Sequence, residues 1–166
     1  MQMMVRAYLV YDITGSAKIL GIVSASSSLP LLGLCLFGGA IADRMDRKKI
    51  IQISQWMMMG LTLFVGVSIS TGTITWYHLL VSGILQGAIW SFMGPARQAM
   101  IPEVVRKDQV TNAVALNASG MSIMTVAAPA VAGILYALIG PDGVYYVISA
   151  LLFGAILLTS TITTTN

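Results

Sequence analysis

A short charged segment, residues 43–49, places two aspartates among four basic side chains between two long apolar runs. Asp43 stands where an apolar run ends, beside several cations, so it should stay ionised and act as a fixed acceptor. Gly39, four residues earlier, leaves room for a neighbouring backbone to approach. Arg97, just past Pro95 at the end of a later apolar run, is the natural in-chain partner of Asp43. The chemistry that these residue types support is ion pairing, although a basic loop facing the cytoplasm would contain the same types.

Gln2 and Arg6 are polar residues in an otherwise apolar segment, residues 1–11. A cation at the centre of a bilayer costs roughly 2.5 to 3.5 kcal/mol on insertion scales. Two interpretations therefore remain open: Arg6 faces a substrate path, or its long side chain reaches the membrane surface. Three polar residues of a later apolar run are candidates for lining the same cavity, or for hydrogen-bonding to backbone or a neighbouring helix: Asn117, Ser122 and Thr125.

Residue types that carry out catalysis are missing from the sequence in any useful combination. There is no nucleophile with a nearby base, no cluster of metal ligands and no phosphate-binding loop. Cys35 is the single cysteine and lies inside an apolar run, where it is expected to be a small filler. We predict that the protein is not an enzyme and has no catalytic residue, no cofactor and no metal site.

The composition indicates which solvent surrounds the chain. The 166 residues are 57% hydrophobic and 9% charged, whereas a soluble domain is about 25% charged. A soluble protein of this size must cover its surface with charges, and a protein surrounded by lipid need not. We therefore predict an all-α integral membrane protein.

The apolar runs are long enough for several membrane-spanning helices, each of which needs about 20 residues. They predict one transmembrane domain over residues 1–166, with a partial first helix and five complete helices. The predicted spans are residues 1–11 (partial), 19–42, 50–70, 76–93, 110–139 and 144–161. Gly94 and Pro95 are expected to end the span 76–93, with a hydrophilic connector after it.

Lysines and arginines predict how the chain is oriented, because they accumulate in cytoplasmic loops. The two basic loops, residues 43–49 and 97–108, are separated by two predicted helices and so fall on the same side. We predict a multi-pass protein of the cell (inner) membrane with both loops in the cytoplasm. The same charge pattern argues against nucleic acid as a partner.

Small residues and prolines in the spans predict helix packing. Gly83, Gly87 and Ser91 recur at four-residue spacing, which suits close helix contact in lipid. Pro30 and Pro129 interrupt the second helices of two consecutive three-helix groups, when the partial helix is counted. Matched broken helices are typical of transporters built from inverted repeats, although each proline could also be an ordinary tolerated kink.

Residues 39–48, Gly-Ala-Ile-Ala-Asp-Arg-Met-Asp-Arg-Lys, resemble the signature G-x-x-x-D-R-x-x-R-K of the major facilitator superfamily. The segments 11–17, 95–103 and 112–117 are similar to the exporter branch that includes enterobactin (siderophore) exporters. The resemblance implies a helix bundle running from the end of that family's first helix through its sixth. It also implies a cytoplasmic gating motif that opens and closes as two halves rock, made of Gly39, Asp43, Arg44, Arg47, Lys48 and Arg97.

The sequence departs from that family at two places. An antiporter signature G-P-x-x-G-G is present only as residues 128–133, with alanine at two glycine positions. A family arginine on the fourth helix, three residues before the pair Gln86 and Gly87, is replaced by Gly83. The resemblance therefore does not carry over proton-coupled drug efflux through that arginine.

Together these features predict a secondary transporter that exports small molecules by alternating access, with a cavity near the bilayer midplane. The expected partners are the lipid bilayer, a small-molecule substrate, and a missing C-terminal half or a second copy, because the chain resembles a fragment. A non-transporting membrane scaffold or assembly protein is the alternative. A reading frame continuing into six more spans would favour the transporter.

Overall fold

The structure is a computed structural model that describes residues 2–34 and 46–161, and every regular element in these ranges is helical. This confirms the predicted all-α membrane fold class. A 3-10 helix, Lys107–Gln109, precedes the last element. The α-helices are α1 (Gln2–Thr14), α2 (Ala17–Ser26), α3 (Arg47–Ser70), α4 (Trp76–Val104) and α5 (Val110–Thr161).

Helix α5 consists of two arms that meet at Gly140, whose backbone dihedrals are non-helical (φ 73°, ψ 173°). That region of conformational space is essentially restricted to glycine. The N-terminal arm covers residues 110–139 and the C-terminal arm residues 141–161. The kink lies inside the turn that the sequence predicts between two separate spans.

Four stretches of the described chain are long and apolar enough to cross a membrane. The last of them, Lys107–Thr161, is 55 residues long and includes both arms of α5. The four stretches are Ala17–Leu34, Arg47–Ser70, Trp76–Val104 and Lys107–Thr161.

The prediction that Gly94 and Pro95 end a span at residue 93 is wrong, because α4 continues through Pro95 and Pro102 to Val104. A proline inside a helix removes one backbone donor and crowds one carbonyl. The turns beyond Pro95 are held by packing instead: Ala96 and Met100 are buried against Ile50 and Ile51 of α3.

The two prolines predicted to break helices behave differently. Helix α2 ends at Ser26, a turn follows at Ser27, and helix resumes over residues 28–34, which include Pro30. Pro30 cannot donate to the Ser26 carbonyl, so the break falls one turn before the ring. By contrast, the backbone of α5 leaves helical geometry at Gly140 and not at Pro129, so the predicted break at Pro129 is wrong.

Close contact between α2 and α4 depends on two glycines, as the small-residue spacing predicts. A Cβ atom on Gly83 would lie 2.3 Å from the Ser26 Oγ, and one on Gly87 would lie 2.1 Å from the Ser27 carbonyl oxygen. No real side chain fits at such distances. The hydroxyls of Ser26 and Ser27 donate back to the Val23 and Ser24 carbonyls.

All five helices contribute to the larger of two buried apolar clusters in the described residues, and the bundle has two distinct ends. Gly15, Gly72 and Gly140, the glycines with positive φ among the described residues, form turns at one end of the bundle. The basic segments lie at the other end. Ten buried residues from all five helices build the core: Val5, Leu9, Val10, Val23, Val65, Leu79, Ala132, Val144, Tyr145 and Ile148.

Candidate functional site

A chain of hydrogen bonds links α1, α4 and α3 inside the bundle. Arg6 Nη1 donates to Gln86 Oε1 at 2.9 Å, and the Gln86 amide donates to Gln2 Oε1. The Gln2 amide donates to the Thr62 hydroxyl, which donates to the Met58 carbonyl at 2.7 Å. The chain thus runs in one direction, from the Arg6 guanidinium through Gln86, Gln2 and Thr62 to the Met58 carbonyl. We call Gln2, Arg6, Thr62 and Gln86 the polar cluster.

Local sequence positions these side chains. Gln2 and Arg6 are four residues apart, so they lie on one face of α1. Gly83 is one turn before Gln86 on α4 and leaves space for the guanidinium, since a Cβ there would lie 3.1 Å from Arg6 Nη1. Gly83 therefore serves two purposes, admitting both the Arg6 guanidinium and the close approach of α2.

The charge of Arg6 is deeply buried, with 4% of the residue exposed. The hydrogen bond to Gln86 is the one that the described residues provide for its side chain. None of the five described acidic residues forms an ion pair with it: Asp12, Asp46, Glu103, Asp108 and Asp142. An amide dipole thus compensates the buried cation in place of a carboxylate, an expensive arrangement in a membrane.

Two cavities lie next to the polar cluster. The first holds about 10 Å³ and is bordered by Arg6, Gln86 and Tyr145 among others; this is room for about one water molecule. The second is an apolar groove of about 520 Å³ between α3 and α4. Leu61 and Ser82 line both cavities, so these two side chains form the wall between them. The groove residues are Met57, Gly60, Leu61, Phe64, Tyr77, His78, Val81, Ser82, Leu85 and Ile89.

The polar residues predicted on the fifth span lie apart from this cluster. Asn117 is half-buried and contacts Met121 Sδ at 3.9 Å, whereas Ser122 and Thr125 are exposed. Ser122 donates to the Ala118 carbonyl and Thr125 to the Met121 carbonyl, both within α5. The structure therefore brings Gln2 and Arg6 together and leaves these three on the surface of the N-terminal arm.

Sequence reasoning did not select Thr62, Gln86 or Tyr145 as site residues. Gln86 had a usable signal, because an amide in the middle of an apolar span must find a partner. Thr62 had none, since a threonine in a membrane helix commonly bonds to its own backbone, and Thr62 also does so.

The basic segments meet at the opposite end of the bundle from the glycine turns. Arg47 Nη1 lies 2.6 Å from Glu103 Oε1 and donates to the Ala99 carbonyl at 3.0 Å. Lys48 Nζ donates to the Ser160 carbonyl at 3.0 Å. The start of α3 is thereby tied to the end of α4 and to the last turns of α5.

Three predicted gating residues, Gly39, Asp43 and Arg44, lie outside the described residues. Arg97 is exposed on α4. Glu103, which sequence reasoning did not select, is the acidic partner that the described chain offers to Arg47. The sequence did offer a signal for this ion pair, because Glu103 is an acidic residue within the basic connector, residues 97–108.

Comparison with known proteins decides the family. The family described as "Transmembrane secretion effector", part of the major facilitator superfamily, matches residues 1–165. The chain belongs to the major facilitator superfamily. The resemblance of its charged segment to the superfamily signature is thus explained by membership.

Several curated members of the superfamily are similar to the chain. An uncharacterized MFS-type transporter, YkuC of Bacillus subtilis (strain 168), is 30% identical over 131 residues, 75% of this chain and 30% of that protein. The staphyloferrin A transporter of Staphylococcus aureus (strain NCTC 8325 / PS 47) is 28% identical over 125 residues, 74% of this chain and 31% of that protein. Macrolide efflux protein A of Streptococcus pyogenes is 31% identical over 146 residues, 82% and 33% respectively.

The chain thus spans about a third of the length of the curated relatives it matches. No solved structure matches it. Superfamily membership establishes a multi-pass membrane protein similar to transporters, and no enzyme family is indicated among its relatives.

Proposed function

We propose that this chain forms most of one half of a secondary transporter that exports small organic molecules by alternating access, with the polar cluster on the transport path. The observation that carries the proposal is the buried Arg6, hydrogen-bonded across helices and lacking an acidic partner among the described residues. A membrane protein retains such a cation where it serves a ligand or ion pathway.

The depth of the polar cluster supports this role. Arg6 and Thr62 lie eight residues from the ends of α1 and α3, and Gln86 lies ten residues from the start of α4. At 1.5 Å per residue these distances are about 12 to 15 Å, close to half of a 30 Å hydrocarbon core. The cluster therefore belongs to the midplane, where alternating-access transporters bind substrate.

Gating is proposed for the basic end of the bundle. The ion pair of Arg47 with Glu103 joins two helices through partly exposed side chains, so it can break at low cost. We assign the gating motif to Gly39, Asp43, Arg44, Arg47, Lys48 and Arg97, and place the basic loops in the cytoplasm. The stacked rings of Trp76 and Tyr77 at the other end suit the outer interface of the cell membrane.

The partner that completes the path is proposed to be a second six-helix half or a second copy of the chain. The N-terminal arm of α5 supports this, because residues 118–126 are all exposed and include four large apolar side chains, Met121, Ile123, Met124 and Val126. Similarity to proteins named for staphyloferrin A and macrolides favours an organic substrate, and the exporter resemblance favours a siderophore of the enterobactin type.

An efflux assay on the complete gene that encodes this chain tests the proposal. A transporter should lower cellular accumulation of a siderophore or macrolide, and Arg6→Gln should reduce that efflux at least tenfold at equal membrane abundance. Lys18→Gln, which neutralises an exposed cation, is the matched control and should leave efflux unchanged. A correctly inserted protein that moves none of these compounds would favour the scaffold alternative, and full efflux by Arg6→Gln would remove the polar cluster from the path.

A further inference from the structure

The geometry points to an amphiphilic carboxylate as ligand, with its apolar body in the groove between α3 and α4 and its head group at Arg6. This inference deepens the proposed function by naming a ligand class for the same site. It depends on two separate features, the buried guanidinium with no carboxylate partner in the described part of the chain, and the apolar groove beside it.

The head group follows from charge and size. Arg6 is 4% exposed and its side chain has an amide oxygen, and no carboxylate, as partner among the described residues. Its planar guanidinium matches a carboxylate, and hydrogen bonds between two charged groups are about twice as strong as neutral ones. The cavity of about 10 Å³ beside it admits little more than one oxygen atom. A carboxylate, planar like the guanidinium, can place one oxygen there.

The apolar body follows from the groove. Its volume of about 520 Å³ lies within the range of small-molecule sites. Met57, Phe64 and Leu85 present exposed apolar surface along it, and a Cβ on Gly60 would meet nothing within 4 Å. Tyr77 and His78 stand at the end of the groove nearest the glycine turns.

The connection between head and body follows from the shared wall. Leu61 and Ser82 border both cavities, so a ligand in the groove needs to pass only these two side chains to reach the guanidinium. Ser82 donates to the Leu79 carbonyl at 2.8 Å. A phospholipid in the same groove would keep its phosphate at the membrane surface, roughly 15 Å from the depth proposed for Arg6, which separates this inference from ordinary lipid contact.

Photolabelling of the 166-residue chain in phosphatidylcholine nanodiscs tests the inference. Three diazirine probes with the same twelve-carbon tail are compared, bearing a carboxylate, an alcohol or a quaternary ammonium head. The carboxylate probe should label peptides of α3 and α4 that line the groove roughly tenfold more than the other two, the size expected for a hydrogen bond to a charged group. Arg6→Gln should lower its labelling to the level of the alcohol.

Glycine variants provide the matched controls for the groove. Gly60→Leu adds an apolar side chain to the groove lining at a position where its Cβ meets no neighbour, and should reduce carboxylate labelling roughly tenfold. Gly120→Leu places the same side chain at an equally open glycine of α5 and should have no effect. Equal labelling by all three probes, or labelling unchanged by Arg6→Gln, would show a groove occupied by lipid only and overturn the inference. Efflux by the complete protein would still stand in that case, because the binding assay does not depend on transport.

Discussion

The guanidinium of Arg6 and the amide of Gln86 form a buried pair in which one member is charged and the other is not. Neither residue can be replaced alone without leaving its partner unsatisfied. A buried polar group that loses its partner costs about 1 to 3 kcal/mol, and more when it is charged. The pair therefore offers a direct energetic test of the polar cluster.

Gln86→Leu should lower the free energy of unfolding by roughly 2 to 4 kcal/mol, because Arg6 would remain buried without an acceptor. The double variant Arg6→Met/Gln86→Leu should recover most of the loss, since an apolar pair of similar volume removes the desolvation penalty. Unfolding in mixed detergent and dodecyl sulfate micelles measures both. A double variant as unstable as the single one would mean that the hydrogen bond contributes little.

At the scale of helices, the contact between α2 and α4 is set by the absence of side chains. Gly83 and Gly87 bring the two backbones together. Their four-residue spacing predicted close helix contact, and the structure identified α2 as the partner helix. The consequence at each glycine depends on what a methyl group would meet. At Gly83 the nearest atom is the movable Ser26 hydroxyl, whereas at Gly87 it is the backbone carbonyl of Ser27.

Gly87→Ala should therefore destabilise the bundle by about 1 to 3 kcal/mol, because the helices must move apart. Gly83→Ala should cost less when Ser26→Ala is added, since that change removes the clashing oxygen, and Ser26→Ala should not rescue Gly87→Ala. Gly133→Ala, at a helical glycine with open space around it, is the control and should be neutral or stabilising. Thermal unfolding in detergent compares these five variants with the unaltered protein. Equal effects at positions 87 and 133 would contradict the proposed contact.

A weaker contact, the ion pair of Arg47 with Glu103, joins the start of α3 to the end of α4. The side chains of Arg47 and Glu103 are 28% and 43% exposed, so their ion pair should contribute about 0.2 to 1 kcal/mol to stability and less at high salt. Such a contribution suits a contact that opens and closes.

Arg47→Ala should reduce the free energy of unfolding by about 1 kcal/mol at low salt, including the lost bond to the Ala99 carbonyl. Arg106→Ala, which removes a more exposed pair with Asp108, should change it by a few tenths at most. Chemical unfolding at low and high salt measures both variants. An Arg47→Ala effect that does not shrink with salt would speak against an ionic contact.

At the scale of the whole molecule, the bundle has a basic end and a glycine-turn end. Contacts of Arg47 with Glu103 and with the Ala99 carbonyl bring the two basic segments together, independently of any membrane. Ser70 and Tyr146 are hydrogen-bonded at 3.0 Å at the other end.

Single-cysteine variants in a Cys35→Ser background should confirm this polarity in intact cells. Cysteines at Lys49 and Lys107 should resist a membrane-impermeant maleimide, and cysteines at Thr73 and Asp142 should react, because basic loops stay in the cytoplasm. Permeabilised cells, in which all four should react, provide the control. Opposite reactivity of positions 49 and 107 would refute the arrangement.

The sequence alone determined the membrane-spanning class, the gathering of basic residues on one side, and the glycine contact, since each depends on composition or local periodicity. It also indicated Arg6, because a cation in an apolar run is unusual wherever the chain folds. Tertiary structure decided which distant residues meet and how far individual helices extend. Gln86 and Thr62 are 80 and 60 residues from their partners Arg6 and Gln2, and no local pattern specifies which distant helix faces will meet. Packing likewise carried α4 past Pro95, because the loss of one hydrogen bond is small beside the burial of Ala96 and Met100.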